Sequence, residues 1–527
     1  MNKTIAVYDT TLRDGAQAED VSFSVDDKLK VIGALAGLGV KYIEAGNPGS
    51  NPKDLEFFRV LDPAEFPGVK FAAFGSTRRR GVPAAEDANV RALLTARTPV
   101  VAIFGKSWDF HVREILKTGL DENLEMIRDT VKFFKDNGKE VVYDAEHFFD
   151  GAKADPDYAF RTLEAARDGG ADWLVLCETN GGAFPGEVAD FTRRAVERFK
   201  MPVGIHCHDD GGMAVANSIL AVEAGATQVQ GTFLGFGERC GNANLSAVIP
   251  NLQLKRGYAC LPAESMPRLK SAACFIAEVS NLGLNKRLPF VGDSAFAHKG
   301  GMHVDGVMKN PSTFEHVDPE SVGNARRVLM SEVSGRSAVL AKLRNILPDL
   351  AKDSPETRKV VDRVKELEHQ GYQFEAADAS FELMVRKLLG TFKPSFGLER
   401  FLVTAGRSNG SGPSPASATI KISVGGREEI AAAEGNGPVD ALDRALRKAL
   451  EVFFPALRDV RLTDFKVRVL DPAEATAARV RVLLESTDGC GLWTTVGVST
   501  DIIEASAIAL ADSIDFHLLK KGEASCA

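Results

Sequence analysis

Two histidines one residue apart, His206 and His208, follow the strand-like run Val203-Gly204-Ile205. On an extended strand residues i and i+2 share a face, so both imidazoles can reach one ion while Cys207 points away. A carboxylate from another strand end would complete a mixed nitrogen–oxygen site for a divalent cation such as Mg²⁺, Mn²⁺ or Zn²⁺. Asp14, in the run Asp9-Thr10-Thr11-Leu12-Arg13-Asp14-Gly15-Ala16-Gln17, is the candidate. Arg13 beside it has the chemistry to grip a substrate carboxylate or polarise a carbonyl. Taken alone, a His-x-His is more often a pair of hydrogen-bonding residues at a loop, and an Arg-Asp pair a surface ion pair. Polar residues also stand where other strand-like runs end: Glu44, Lys106 and Ser107, Asp144 and Glu146, Glu178-Thr179-Asn180, and Gly235 to Asn242. Seven such ends favour the metal reading. Glu146 suits acid/base work or holding a water, and equally a buried structural carboxylate. His298 and His303 lie further on, in a glycine-containing stretch that could cover a neighbouring mouth as a lid.

The elements that must position these residues alternate. Strands are predicted at Ile5–Tyr8, Tyr42–Ala45, Val69–Phe74, Val100–Phe104, Val141–Ala145, Trp173–Cys177, Val203–His206 and Gln228–Phe233. Helical spacing lies between them, as in Asp26–Leu38, Asp121–Asn137, Pro156–Asp168 and Met213–Ala224, with Gly39, Gly138, Gly169 and Gly225 as C-caps. Eight strands alternating with helices predict a (β/α)8 TIM barrel over residues 1–260, whose active site belongs at the C-terminal mouth. A doubly wound sheet is the competitor, but no G-x-G-x-x-G follows the first strand.

Residues 261–395 read as helical linker subdomains (Met266–Ser280, Gly335–Asn345, Ser354–His369) carrying the Gly/His-rich loop. Residues 396–527 read as a small α+β domain with approximate internal duplication. Its strands are predicted at Phe401–Thr404, Thr419–Val424, Phe465–Val469 and Arg479–Leu484, with helices at Pro438–Val452 and Ile502–Leu519 and a long loop over Gly406–Ala418. The helix starts after Gly435-Asn436-Gly437 and Gly497-Val498-Ser499 could receive a small anionic or zwitterionic ligand; turn and capping chemistry is the plainer explanation.

Composition narrows the class. The chain has 527 residues, 44% hydrophobic and 26% charged, with a net charge of −8, which gives no electrostatic footprint for nucleic acid. No apolar run reaches the roughly 18 residues that span a bilayer, and the N-terminus turns polar too soon for a signal peptide. Seven cysteines without a C-x-x-C pair fit reduced thiols and a cytoplasmic location.

With these motifs assembled, the chain resembles the acyl-CoA-condensing metal enzymes of the 2-isopropylmalate, homocitrate and citramalate synthase family. The resemblance is carried by DTTLRDGAQ (9–17), GIHCHDDGGMAVAN around His206 and His208, and GERCGNANL (237–245). GSNPKD (49–54), FGKSW (104–108), YDAEHFFDG (143–151), AFAHKGGMHVD (295–305), EGNGPVDALDRALRKAL (434–450) and VGVSTDIIEAS (496–506) look most like its citramalate-forming branch. It implies condensation of acetyl-CoA with pyruvate and water, as the first step of a threonine-independent isoleucine route. It further implies a metal held by Asp14, His206, His208 and Asn242, and a 2-oxo acid held by Arg13 and Thr179 with Gln17 and Asp144 nearby. Glu146 would stand near the acetyl methyl group and His303 would abstract its proton. A homodimer, in which one subunit's linker covers the other's site, and a C-terminal domain binding isoleucine as inhibitor also follow from the resemblance.

Four positions depart from the branch pattern: Asn47 for tryptophan, Glu178 for aspartate, Phe314 for tyrosine, and Asp209 within His208-Asp209-Asp210 for asparagine. They bear on the oxo acid accepted and on proton transfer, and leave the metal positions intact. The alternatives are a larger oxo acid (2-isopropylmalate or homocitrate synthesis), a carbon–carbon lyase, and a non-catalytic amino-acid sensor. The long C-terminal domain and the missing G-x-x-G-C-P loop argue against the lyase. The retained metal and arginine positions argue against the sensor.

Overall fold

The computed structural model of the chain describes residues 3–49, 52–329, 343, 346, 354–374, 377–406, 416–470, 472–489 and 491–525. Parallel strands β1 (Ala6–Asp9), β2 (Tyr42–Gly46), β3 (Lys70–Ser76), β4 (Val100–Lys106), β5 (Glu140–Glu146), β6 (Trp173–Glu178), β7 (Val203–Cys207) and β8 (Gln228–Gly231) close into a barrel in chain order. β8 pairs back onto β1, with Val7 opposite Val229. This is the predicted TIM barrel.

Alternation along the strands explains the layers. Val7, Ile43, Phe71, Ala73, Val101, Ile103 and Tyr143 face outward into the main helix-covered core. Tyr8, Tyr42, Ala72, Val100, Ala102, Val142, Val175 and Cys177 fill the barrel interior. Large and small side chains alternate there, and the rings of Tyr8 and Tyr42 stack 5.8 Å apart. The interior is packed, so room for a ligand exists only above it, where the strands turn polar.

The surrounding helices start and stop where local chemistry dictates. The helix Val25–Leu38 opens on a reciprocal Ser24–Asp27 capping box and closes at Gly39, with φ +88°. The helix Pro156–Gly169 ends one residue later than predicted, with Gly170 as the left-handed cap. Gly169 serves packing instead: a Cβ on it would stand 2.7 Å from the Arg128 carbonyl oxygen.

The chain forms two compact units, Met1–Phe296 with Glu315–Arg326, and Ala297–Phe314 with Arg327–Ala527. In the first, the helix Leu269–Val279 adds Leu269, Ala273 and Ile276 to the main core. The second begins with two short paired strands, β9 (Ala297–His298) and β10 (Arg327–Val328), and includes the helices Gly301–Lys309, Pro355–His369 and Asp378–Leu388.

Two successive modules of three antiparallel strands and a helix follow. The first is β11 (Gly397–Ala405), β12 (Ala416–Val424), β13 (Arg427–Gly435) and the helix Pro438–Leu450. The second is β14 (Arg461–Val469), β15 (Val480–Thr487), β16 (Leu492–Ser499) and the helix Ile502–Ser525. The expected duplication is present, with one more strand per module than predicted. β13 reads REEIAAAEG, charged and alanine-rich, and becomes a strand through pairing with β12 rather than through its own propensity. The loop predicted over Gly406–Ala418 is corrected at its end, since Ala416–Ala418 open β12; residues 407–415 lie outside the described residues. Most of the helix predicted over 335–345 lies outside them as well.

The glycines before the two module helices have a packing role. A Cβ on Gly435 would lie 2.4 Å from the Ala441 backbone nitrogen, and one on Gly497 1.9 Å from the Ala505 carbonyl oxygen. Among the described residues no helix is long and apolar enough to cross a membrane.

Candidate active site

The mouth of the barrel holds a cavity of about 290 Å³ lined by first-unit residues. Eight of the predicted site residues line it: Arg13, Asp14, Gln17, Asp144, Glu146, Thr179, His206 and His208. Asn47, Phe74 and Phe104 complete much of the wall.

His206 and His208 stand on one face at the end of β7, with their Nε2 atoms 3.3 Å apart. His206 Nε2 is also 3.4 Å from Asp14 Oδ2. One ligand atom from each of the three residues lies within 4.8 Å of the others, the spacing of donors converging on one ion. Cys207 points into the outer core, as alternation requires. Burial suppresses the histidines' protonation, taking His206 down to about 3 and lowering His208. Burial would raise Asp14, but the adjacent Arg13 guanidinium outweighs it and holds the carboxyl at about 2. Two neutral imidazoles and a carboxylate, all buried, are the donor states a divalent cation needs, so these residues fit such an ion.

Asn242 is buried, and its backbone pairs with that of His208. Its side-chain Nδ2 and Oδ1 are both buried and make no hydrogen bond. Gly237 leaves room for it: a Cβ there would sit 2.1 Å from Asn242 Nδ2.

Arg13 is fixed from three sides. Its Nε donates to Glu44, its Nη1 lies 3.1 Å from Asp14 Oδ2, and its guanidinium carbon stands 3.7 Å above the Phe74 ring. Glu44 in turn accepts from the Tyr8 hydroxyl at 2.7 Å. The guanidinium is thus locked before any ligand arrives, which preorganises positive charge at the mouth. Burial and neighbouring Glu44 push Asp144 well above the usual carboxylate range. Thr179 Oγ1 accepts from the His147 backbone N–H at 2.9 Å, which leaves its own proton for donation. Glu146 is ion-paired with Lys106.

Several residues had no role in the sequence reading and acquire one here. Gln230, buried on β8, lies between Asp144 and His206: its Nε2 donates to Asp144 Oδ1 at 3.0 Å and its Oε1 is 3.1 Å from His206 Nδ1. The signal was present in Gln228-Val229-Gln230, since polar residues alternating in a barrel strand must face the interior. Phe74 and Phe104 stack at 5.2 Å and narrow one side of the cavity.

His303 belongs to the second unit, exposed on the helix Gly301–Lys309 with its ring 4.1 Å from that of Phe314. Phe314 supplies no hydroxyl beside it. Glu178 turns away from chemistry and accepts the Gly182 and Ala183 N–H groups at 3.0 and 3.2 Å, stabilising the turn after β6. Asn47 lines the cavity while its Oδ1 accepts from the Gly49 N–H at 3.0 Å.

Residues 4–272 match the HMGL-like family, residues 290–372 the homocitrate synthase post-HMGL domain-like family, and residues 375–518 the LeuA allosteric (dimerisation) domain. The chain is 51% identical to the (R)-citramalate synthase of Aquifex aeolicus over 99% of both chains. It belongs to the (R)-citramalate synthase family. The likeness to the Geobacter sulfurreducens (R)-citramalate synthase is 50% over 98% of each chain, and to that of Streptomyces coelicolor 45% over 99% of this chain and 98% of the other. Within this acyl-CoA-condensing family, a TIM barrel precedes the LeuA-type domain, matching the barrel and the duplicated α+β modules described above.

Proposed function

We propose that the chain joins acetyl-CoA to pyruvate, with water, to give (R)-citramalate and free CoA. The observation that carries this reading is the convergence of Asp14, His206 and His208 beside a locked Arg13, in a cavity with room for a small oxo acid. When bound, the divalent ion supplies Lewis-acid polarisation of the oxo acid. Asp14, His206, His208 and Asn242 would hold it; Mg²⁺, Mn²⁺ and Zn²⁺ all suit the mixed donors.

Arg13 lies where it can stabilise negative charge growing on the keto oxygen. Thr179 donates its hydroxyl proton to the substrate carboxylate, and Gln17 and Asp144 border the same space. Glu146 faces the acetyl methyl group, and the resemblance assigns removal of a methyl proton to His303. The resulting enolate carbon attacks the keto carbon, and water then cleaves the thioester, releasing CoA and making the reaction favourable. The Phe74–Phe104 wall supports a small oxo acid over the branched or dicarboxylic ones that 2-isopropylmalate or homocitrate synthesis needs.

Homodimerisation, isoleucine as inhibitor acting through residues 396–527, a place in isoleucine formation and a cytoplasmic location extend the same proposal. The matched LeuA allosteric (dimerisation) domain supports dimerisation and an allosteric site. Chiral chromatography of the product from acetyl-CoA and pyruvate tests the activity. (R)-citramalate is the expected product; another acid, or none, would reject the reading.

A further inference from the structure

Thr179, just past the end of β6, is bonded from two sides. Its Oγ1 accepts the His147 backbone N–H at 2.9 Å, and its carbonyl oxygen accepts Arg239 Nη2 at 2.6 Å. His147 follows β5 and Arg239 follows β8, so two distant strand ends meet on one threonine. Both donor residues have left-handed backbone, with φ +56° and +58°. Among the described residues nine non-glycine residues share that sign, and Lys117 and Lys200 do so in the ordinary way, by closing helices.

Neither His147 nor Arg239 has that excuse. His147 opens the short helix Phe148–Ala154, where a capping residue is normally extended, and it makes no side-chain capping bond. Arg239 is the second residue of the turn Glu238–Gly241, closed by the Gly241 N–H on the Glu238 carbonyl at 3.0 Å. With positive φ that position normally takes glycine or asparagine. Each residue is held in place by a carboxylate. His147 Nδ1 lies 3.0 Å from Asp150 Oδ2, which also accepts Asn180 Nδ2 at 2.9 Å. Arg239 grips Asp210 through Nε and Nη2 at 2.8 and 2.9 Å. The loop after β6 is wedged against Asp210 as well, since a Cβ on Gly181 would stand 2.4 Å from its Oδ2. Disfavoured backbone persists where its surroundings over-determine it, and such residues gather at functional sites.

On the reading above, on which this rests, Thr179 gives its hydroxyl proton to the carboxylate of the oxo acid. A hydroxyl oxygen that has already accepted one hydrogen bond confines its own proton to the remaining directions, and a peptide held by its carbonyl cannot swing the side chain away. We propose that His147 and Arg239 are positioning residues for the oxo acid: together they aim the Thr179 hydroxyl before substrate arrives. Neither lines the catalytic cavity, so both act through Thr179.

The test is a double-substitution cycle in the full chain: Arg239→Asn, Thr179→Val and the two together, with Arg239→Lys alongside. Asparagine suits the left-handed turn better than arginine, so Arg239→Asn should keep the melting temperature of the parent chain. It should nevertheless lower kcat/KM for pyruvate about tenfold while leaving the KM for acetyl-CoA unmoved. Arg239→Lys keeps a donor for the Thr179 carbonyl and should recover part of the loss. In the Thr179→Val background, Arg239→Asn should cost less than about twofold more, because the hydroxyl it aims is gone. His147→Gly keeps the N–H and tolerates positive φ, so it should retain more of the pyruvate kcat/KM than His147→Ala; the reverse order would remove His147 from the proposal. Additive losses in the cycle, equal effects on pyruvate and acetyl-CoA, or no loss at all in an active chain would overturn it. If the parent chain turns over no oxo acid, the functional reading fails instead, and calorimetric binding of pyruvate to the Mn²⁺-loaded chain decides the positioning role: no binding, or binding that Arg239→Asn leaves intact, overturns it.

Discussion

Gln230 fixes the orientation of His206. Because Asp144 accepts the Gln230 amide N–H at 3.0 Å, the amide oxygen must face His206 Nδ1, 3.1 Å away. His206 therefore carries its proton on Nδ1, and its Nε2 lone pair faces Asp14 and His208. Partners of this kind behind a ligand histidine typically contribute about 10- to 100-fold to metal affinity. Gln230→Leu should weaken Mn²⁺ binding by that factor in calorimetric titration, with the fold intact by circular dichroism. Unchanged affinity would show that His206 needs no such support.

Arg13 has two jobs that substitution separates. Its charge offsets Glu44 and Asp14, both buried, so Arg13→Ala should cost about 3–5 kcal/mol of stability through uncompensated carboxylates. In the proposed reaction its guanidinium also faces the developing oxyanion, and loss of that stabilisation should lower kcat by about 100-fold or more. Arg13→Lys keeps a charge but not the planar fork. Denaturant unfolding with Arg13→Lys should therefore return much of the stability while kcat remains low. Recovery of both together would mean that charge alone matters.

The stacked pair Phe74 and Phe104 lines the cavity and, in the proposed reaction, limits the size of the oxo acid. Phe104→Ala should favour 2-oxobutyrate relative to pyruvate by about tenfold or more in kcat/KM, the scale of one methylene in an apolar pocket. A preference that stays put would place specificity elsewhere, with Asn47 the next wall residue to vary.

Gly497→Ala tests the plain packing role of the residues before the last helix. The added Cβ would meet the Ala505 carbonyl oxygen at 1.9 Å, so strand or helix must shift at a cost of about 1–3 kcal/mol. Thermal unfolding should show the loss without any ligand present. A chain of full stability that had merely lost a ligand response would point to a binding glycine instead.

Much of this was legible in the sequence because barrel strands have a period of two and polar residues cluster at their ends. His206 and His208 were identifiable as a same-face pair, and the helix stop at Gly39 followed from local preference alone. What was missed depends on pairing across the chain. The alternation in Gln228-Val229-Gln230 turns Gln230 inward, but its partner Asp144 is 86 positions away and cannot be read from it. β13 carries a helix-like composition and is a strand through its ladder with β12. Gly169 and Gly170 are equal as caps on paper; the approach of the Arg128 carbonyl decides between them. His303 entered through resemblance, since its spacing from the barrel motifs carries no geometric information.

The most direct measurement is release of the CoA thiol from acetyl-CoA with a panel of 2-oxo acids, with and without a chelator. The Asp14–His206–His208 site and the narrow Phe74–Phe104 wall predict release with pyruvate, little with 2-oxoisovalerate or 2-oxoglutarate, and loss on chelation that added Mg²⁺, Mn²⁺ or Zn²⁺ restores. Pyruvate-dependent release indifferent to chelation, or a preference for a larger acid, would contradict it.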